Sequence, residues 1–392
     1  MNSVGKKKTK LYAAAARSAI RCLRINRREF INRTACGDAQ QRVPQPGWER
    51  TRVADALLRV PTARPCRLPA TRLSDYTPPV PKKVVIVSDV EPWLIERLRN
   101  DPRFDIDIRT TGPLESRVGG AEIVVTRTVN RITAAVIAAA PHLQAIAQGT
   151  SGVDNIDAAA AAARGVEILS LPGVNANAVA ELIIGMIVGM TRTLPAYSRE
   201  VASGSWRRAD CTTRHEMRHY ALGIVGHGNV GSRVSRLATA FGMRPRAYDP
   251  YIRDFGAAER VATLDELLAT SDIVTLHVPL TDETRTMIGN RELRRMRRGS
   301  FLINAARGEV LDLDAALAAL ASGHLDGLAV DVFDPEPPQR SFPDDSRLIL
   351  TPHIAGCTYE AKRDAAELLY EAIVRFTEGG RLPSPDAPRS AS

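Results

Sequence analysis

The chain lacks what would mark it as a disulfide-stapled or metal-clipped protein. Its five cysteines, Cys22, Cys36, Cys66, Cys211 and Cys357, show neither metal-ligand spacing nor a disulfide framework, so a reducing, cytoplasmic setting is the expectation. Long apolar runs are missing as well. The best stretch, residues 178–190, is interrupted by Glu181 and is shorter than the ~20 residues a bilayer crossing needs. Arg17 cuts the apolar stretch near the start to a handful of residues, which argues against a secretory signal. No internal repeat of solenoid period is present, which excludes a stacked-repeat architecture.

What is there fits a globular protein of 392 residues with 44% hydrophobic content, enough for two domains and an extension. The net charge of +9 is unevenly placed. Residues 1–80 carry seventeen Lys and Arg against five acids, or +12, which leaves the remainder mildly acidic at −3. This first segment opens with Lys6-Lys7-Lys8, and its second half is punctuated by Pro44, Pro46, Pro61, Pro65, Pro69, Pro78 and Pro79. Tyr12, Ala16, Ala19, Leu23 and Phe30 share one helical face, and Arg17, Arg21, Arg24 and Arg28 the opposite one. Such a helix can touch an anionic surface or nucleic acid, or serve as a targeting peptide, but interleaved aromatics are lacking. The expectation for residues 1–81 is a basic, Pro-rich disordered extension.

From Lys82 strands and helices alternate. Val84–Val87, Glu122–Thr126 and Leu143–Ala147 read as strands, with helices at Trp93–Leu98 and Ala134–Ala140 between them. A second unit opens at Leu222-Gly223-Ile224-Val225-Gly226 and continues through strands near Arg246–Asp249, Ile273–Leu276, Ser300–Ile303 and Gly327–Asp331. A long helix over Ala178–Leu194 joins the units, and a last helix over Tyr359–Glu378 returns to the first. This order predicts an α/β protein of two doubly wound parallel-sheet domains, one of Rossmann topology (174–354) inserted in a flavodoxin-like one (82–173 and 355–383).

Gly226-His227-Gly228-Asn229-Val230-Gly231 matches G-x-G-x-x-G between an apolar strand and a helix starting near Ser232. In that context Gly226 makes the tight turn, Gly228 admits a pyrophosphate, and Gly231 lets helix and strand pack closely. Asp249 lies 23 residues after Gly226 at the end of the next strand. A carboxylate there accepts ribose hydroxyls and repels a 2′-phosphate, which favours NAD over NADP.

Three strings in the last third carry an Arg, a Glu and a His: Leu302-Ile303-Asn304-Ala305-Ala306-Arg307-Gly308, Asp331-Val332-Phe333-Asp334-Pro335-Glu336-Pro337 and Thr351-Pro352-His353-Ile354-Ala355-Gly356. An imidazole can pass a proton to a carbonyl oxygen as hydride arrives. A carboxylate beside it orients the ring, and a guanidinium clamps an anionic substrate.

Together with Ser151-Gly152-Val153-Asp154-Asn155-Ile156-Asp157 and Leu276-His277-Val278-Pro279-Leu280, these strings make residues 82–380 resemble the D-2-hydroxyacid dehydrogenase family. The resemblance implies NAD-dependent hydride transfer at C2 of a small 2-hydroxy or 2-oxo acid, of 3-phosphoglycerate, hydroxypyruvate or glyoxylate type. It implies Arg307, Glu336 and His353 as the catalytic set, with Arg307 also on the substrate carboxylate. It places Ser151, Val278, Pro279, Ala305, Ala306, Asp331 and Gly356 with the glycine motif around the dinucleotide, Asp331 facing the carboxamide. Amides near Ser151 and Gly152 would hold the substrate carboxylate, and Arg127 stands where some members bind a larger anion. A homodimer is expected through the dinucleotide domain. The rival reading is a dinucleotide-sensing corepressor on the same scaffold.

Two departures stand out. Gln148 and Thr150 occupy positions where many members carry Arg and Gly, and Met217-Arg218-His219-Tyr220 replaces the usual Leu-x-Gly-Lys. His215-Glu216-Met217-Arg218-His219 spells a zinc-protease signature, but it ends just before a dinucleotide strand, so no metal is expected.

Overall fold

The computed structural model describes residues 80–206 and 215–380. The basic extension before residue 80, Cys211 and the tail after 380 lie outside the described residues.

Two all-parallel sheets organise the described chain. The first contains β1 (Lys82–Ile86), β2 (Phe104–Ile108), β3 (Ile123–Thr126), β4 (Ala145–Gln148) and β5 (Glu167–Leu169), in the order β2-β1-β3-β4-β5. Short helices α1 (Pro92–Arg99), α2 (Leu114–Arg117), α3 (Ala134–Ala138) and α4 (Ala158–Ala163) connect the strands. The chain then enters α5 (Ala176–Thr191) and α6 (Leu194–Ala202). The second sheet contains β6 (Ala221–Val225), β7 (Arg244–Tyr248), β8 (Glu259–Arg260), β9 (Ile273–Leu276), β10 (Ser300–Asn304), β11 (Leu325–Val330) and β12 (Leu348–Leu350), in the order β12-β11-β10-β9-β6-β7-β8. Its crossovers include α7 (Asn229–Ala240), α8 (Leu264–Thr270), α9 (Asn290–Arg295) and α10 (Leu313–Ala321), and α11 (Tyr359–Thr377) closes the described chain.

Both sheets are buried on both faces, as parallel sheets require. In the first, Val84 and Ile86 pack with Leu94, Leu98, Leu369 and Ile373, while Val85 and Val124 pack with Val136, Ile137 and Ala161 on the other side. In the second, Ile183 and Ile187 of α5 cover Leu222, Ile224 and Ile303, and Leu267, Leu293 and Leu320 cover Val274, Leu302 and Leu328. The doubly wound architecture read from the strand–helix alternation is the one observed.

Strand order reverses at β1/β3 in the first sheet and at β6/β9 in the second. Crevices beyond the carboxyl ends of strands at such points are where ligands bind in open α/β sheets. The residues that end these strands, Arg127 after β3 and Gly226 after β6, are among those singled out by sequence.

Two local expectations change. The helix expected over residues 178–194 ends at Thr191, and α6 leaves at 64° to α5. Thr193 sits in the left-handed region (φ 50°) and Pro195 opens α6. A proline's missing N–H and the restriction it places on the preceding residue make a continuous helix unfavourable there. Phe104-Asp105-Ile106-Asp107-Ile108, unassigned by sequence, forms the edge strand β2, its acids facing partly into solvent. No single helix among the described residues is long and apolar enough to cross a membrane.

Asp101, between α1 and β2, ties this sheet to α11. It accepts from Arg103 Nε (2.9 Å) and from Tyr370 Oη of α11 (2.8 Å), and the Arg103 hydrogen bonds hold its carboxyl down at about 2 despite its burial. A depressed carboxyl stabilises the fold fully above its unfolded pKa of ~3.9 and loses that contribution as pH falls toward 2. Asp101→Asn should therefore lower unfolding free energy by about 1–3 kcal/mol at neutral pH. Urea midpoints should show the gap to wild type closing between pH ~4 and 2.

Candidate active site

His353 and Glu336 meet at the carboxyl edge of the second sheet. His353 Nδ1 lies 2.7 Å from Glu336 Oε2, while Glu336 Oε1 accepts from the Phe333 amide at 3.0 Å. The carboxylate is thus gripped from its own loop, and its free edge aims the ring. With Nδ1 donating to Glu336, Nε2 is the nitrogen left to exchange a proton with a ligand.

The loop that carries His353 is held by Asp331, a contact the sequence reading did not foresee. Asp331 is fully buried. Its Oδ1 accepts from Thr351 Oγ1 (2.6 Å) and Ile354 N (2.9 Å), and its Oδ2 from Ala355 N (2.9 Å). Its carbonyl accepts from His353 N at 2.8 Å. These bonds offset the left-handed backbone of His353 (φ 53°), a conformation that costs about 1–2 kcal/mol in a non-glycine residue.

Arg307 follows β10, neighbour of β11. Asn304 shapes its turn, donating from Nδ2 to the Arg307 carbonyl (2.9 Å) and accepting from Ala306 N (3.1 Å). The side chain then crosses to the first sheet, where Nε pairs with Asp154 and Nη1 donates to the Ala306 carbonyl at 2.7 Å. A Cβ added at Gly152 would fall 2.0 Å from Arg307 Nη2. Arg307 therefore rests directly on the Ser151–Gly152 turn, whose own amides at Ser151, Gly152 and Val153 have no acceptor among the described residues. Asp154, which sequence reading left without a role, is the group that draws the guanidinium across.

A cleft of about 310 Å³ at the β1/β3 reversal opens beside this turn and is lined by Arg127, Ser151, Asn175, Gly356 and Lys362. Among the described residues the Arg127 guanidinium makes one long contact, 3.4 Å, to the Asp89 carbonyl. Ser151 Oγ accepts from Gly173 N at 3.0 Å.

The glycine motif has the shape a dinucleotide needs. A Cβ on Gly226 (φ +87°) would lie 2.7 Å from the His277 carbonyl, and one on Gly231 2.2 Å from the Gly226 carbonyl, whereas Gly228 faces open space. Gly228 caps α7 without a side-chain hydrogen bond, so first-turn amides and the helix dipole are directed at that space. Val230 packs on the core and Val278 against Gly226. Asp249 is locked by amides of His227 (2.8 Å), Tyr251 (2.9 Å) and Ile252 (3.2 Å), which leaves about one of its four lone-pair directions for a ribose. Burial pushes His277 down to about 3 and lowers His227 as well, so neither adds positive charge beneath the motif near neutral pH. The residues present fit NAD.

Three other assignments are refined. Ala306 is buried, with both backbone groups engaged, while Ala305 beside it is half-buried against the core. The Asn229 side chain faces Gly173 at the chain's crossing between the sheets. Pro279 offers its carbonyl to Thr284 Oγ1 at 2.6 Å. The zinc-protease string forms a single 3₁₀ turn over Met217–His219, with His215 outside it and Glu216 paired to Arg218; the helix that would align two His ligands is not formed.

Residues 184–355 match the model of the D-isomer specific 2-hydroxyacid dehydrogenase NAD-binding domain. The D-3-phosphoglycerate dehydrogenase of Haemophilus influenzae is 36% identical over 277 residues, covering 68% of this chain and 67% of that protein. A glyoxylate reductase of Korarchaeum cryptofilum is 36% identical, covering 68% and 83%. Among solved structures, D-lactate dehydrogenase from Aquifex aeolicus, complexed with NAD and lactic acid, superposes with a TM-score of 0.69 at 28% identity, covering 76% and 96%.

Proposed function

The chain belongs to the D-isomer specific 2-hydroxyacid dehydrogenases, an NAD-dependent family, and from that premise we propose that it interconverts a small 2-oxo acid and its D-2-hydroxy acid. The observation that supports this most is the His353–Glu336 pair at 2.7 Å, with Nε2 left to exchange a proton. Hydride to or from C2 is the chemistry that NAD supplies when bound by the Gly226–Gly231 turn, the α7 amides and Asp249. In reduction, His353 Nε2 gives its proton to the carbonyl oxygen; in oxidation it takes the hydroxyl proton back. Glu336 keeps the ring aimed and stabilises it while positively charged. Arg307 and the free amides of the Ser151–Gly152 turn bind the carboxylate, a charge-assisted arrangement that holds the substrate in the site.

The substrate we place first is of the 3-phosphoglycerate, hydroxypyruvate or glyoxylate type. Arg127, lightly engaged at the edge of the cleft, supports an anionic or hydroxylated tail. NADH oxidation measured with glyoxylate, hydroxypyruvate, pyruvate and the 2-oxo acid corresponding to 3-phosphoglycerate tests this. Turnover with none of them would favour a dinucleotide-sensing role instead.

Asp249 should make NADPH the poorer donor. Unit charges about 4 Å apart repel by ~1–4 kcal/mol between water-like and protein-surface dielectrics, roughly fivefold to a thousandfold in affinity. Asp249→Ser should relax that preference, as read by kcat/KM for the two donors. Equal use by the wild type would remove Asp249 from the ribose.

We also place the domain boundaries near residues 173/174 and 354/355, where Asn175 meets Gly356 and Asn229 meets Gly173, and assign the protein to the cytoplasm. A homodimer is proposed through α6, which buries none of its residues and leaves Leu194 and Val201 about half exposed one above the other.

A further inference from the structure

Gln148 ends β4 with its side chain entirely buried. Its Nε2, with two hydrogens to give, lies within hydrogen-bond distance of the Gly152 carbonyl (2.9 Å), Asn155 Oδ1 (2.9 Å) and Thr150 Oγ1 (3.0 Å), so one amide group gathers three residues of a single turn. Asn155 carries the link onward, donating from Nδ2 to the Asn130 carbonyl (2.7 Å) and the Arg127 carbonyl (3.3 Å). The opposite orientation of the Gln148 amide would set Oε1 against the Gly152 carbonyl, so the network fixes its sense. Oε1 itself has no partner among the described residues. A buried acceptor left unmatched is a cost that an apolar side chain at a strand end would avoid. A purely structural role therefore explains this residue poorly.

We infer that Gln148 is a positioning residue for the substrate carboxylate: through Gly152, Asn155 and Thr150 it holds the Ser151–Val153 amides and the Arg127 segment in one fixed arrangement opposite Arg307. The inference rests on the reading of that turn as the carboxylate site. Removing the donor lets the turn relax, and a misplacement of about 1 Å in a binding group can cost roughly a hundredfold. The carboxylate is bound alike in ground and transition states, so the loss falls on KM rather than kcat.

Two variants of the full chain separate donation from volume. Gln148→Met keeps the size and removes the polarity; Gln148→Glu keeps the shape and replaces donor by acceptor. Both should raise KM for the best 2-oxo acid roughly 10–100-fold, keep kcat within about threefold and leave the NADH dissociation constant unchanged, with Gln148→Glu at least as impaired. A lowered melting temperature with KM unchanged in both variants would show Gln148 to be structural and overturn the inference. A crystal structure of Gln148→Met reads the turn without any substrate. Displacement of residues 150–154 is expected, and an unmoved turn would refute the role even if the wild type reduced none of the acids.

Discussion

Replacing His353 with Gln should cut turnover roughly 10²–10⁴-fold, the usual share of a positioned proton transfer, with NADH binding intact. Gln can hydrogen-bond to a carbonyl oxygen but has no proton to give near neutral pH. The backbone around position 353 does not depend on the ring, because Asp331 anchors it through Thr351 Oγ1, Ile354 N and Ala355 N. The glycine motif and α7 lie on the other half of the same sheet, so a fluorescence titration with NADH should give the wild-type dissociation constant. Glu336→Gln keeps the contact to Nδ1 but not the charge and should lose less. Wild-type turnover in His353→Gln would remove the imidazole from the mechanism.

Gly152→Ala should raise KM for the 2-oxo acid by roughly a hundredfold, the cost of moving a clamp by about 1 Å, without unfolding the protein. The new Cβ would fall 2.0 Å from Arg307 Nη2, 3.3 Å from Arg307 Cζ and 3.4 Å from Asp154 Oδ2. The atom it meets first is the far end of a long side chain, which can swing away at little cost to the core. Gly152 itself is not among the residues with positive φ, so alanine fits the backbone. What is lost is the aim of the guanidinium, held at present between Asp154 and the Ala306 carbonyl. Steady-state KM, thermal melting and NADH titration together check this. A wild-type KM would mean that Arg307 does not work from this turn.

The parts legible in the sequence are those whose chemistry is local. Gly226 to Gly231 lie within one strand–turn–helix, so their spacing carries the fit to a dinucleotide, while the roles of Asp331 and Glu336, close together in one loop, came from the family resemblance. Strands such as Val84–Val87 announce themselves as continuous apolar runs because they are buried on both faces. The parts that were not legible depend on contacts between distant segments. Asp154 and Arg307 are 153 positions apart, and nothing around either one names the other. The bonds from Thr351, Ile354 and Ala355 to Asp331 likewise span some twenty positions. β2 escaped notice because Asp105 and Asp107 dilute its apolar content, as suits a strand at a sheet edge. The kink after α5 was signalled by Pro195, but the apolar run from Ala178 outweighed it.

The central claim is that this site delivers hydride to one face of C2 while His353 protonates the oxygen. The most direct test is chiral analysis of the product formed from NADH and whichever 2-oxo acid is turned over fastest, with His353→Gln run alongside. The account predicts the D-2-hydroxy acid alone from the wild type, formed in step with NADH consumed, and roughly 10²–10⁴-fold less of it from the variant. An L or racemic product, or NADH consumed without a hydroxy acid appearing, would contradict it.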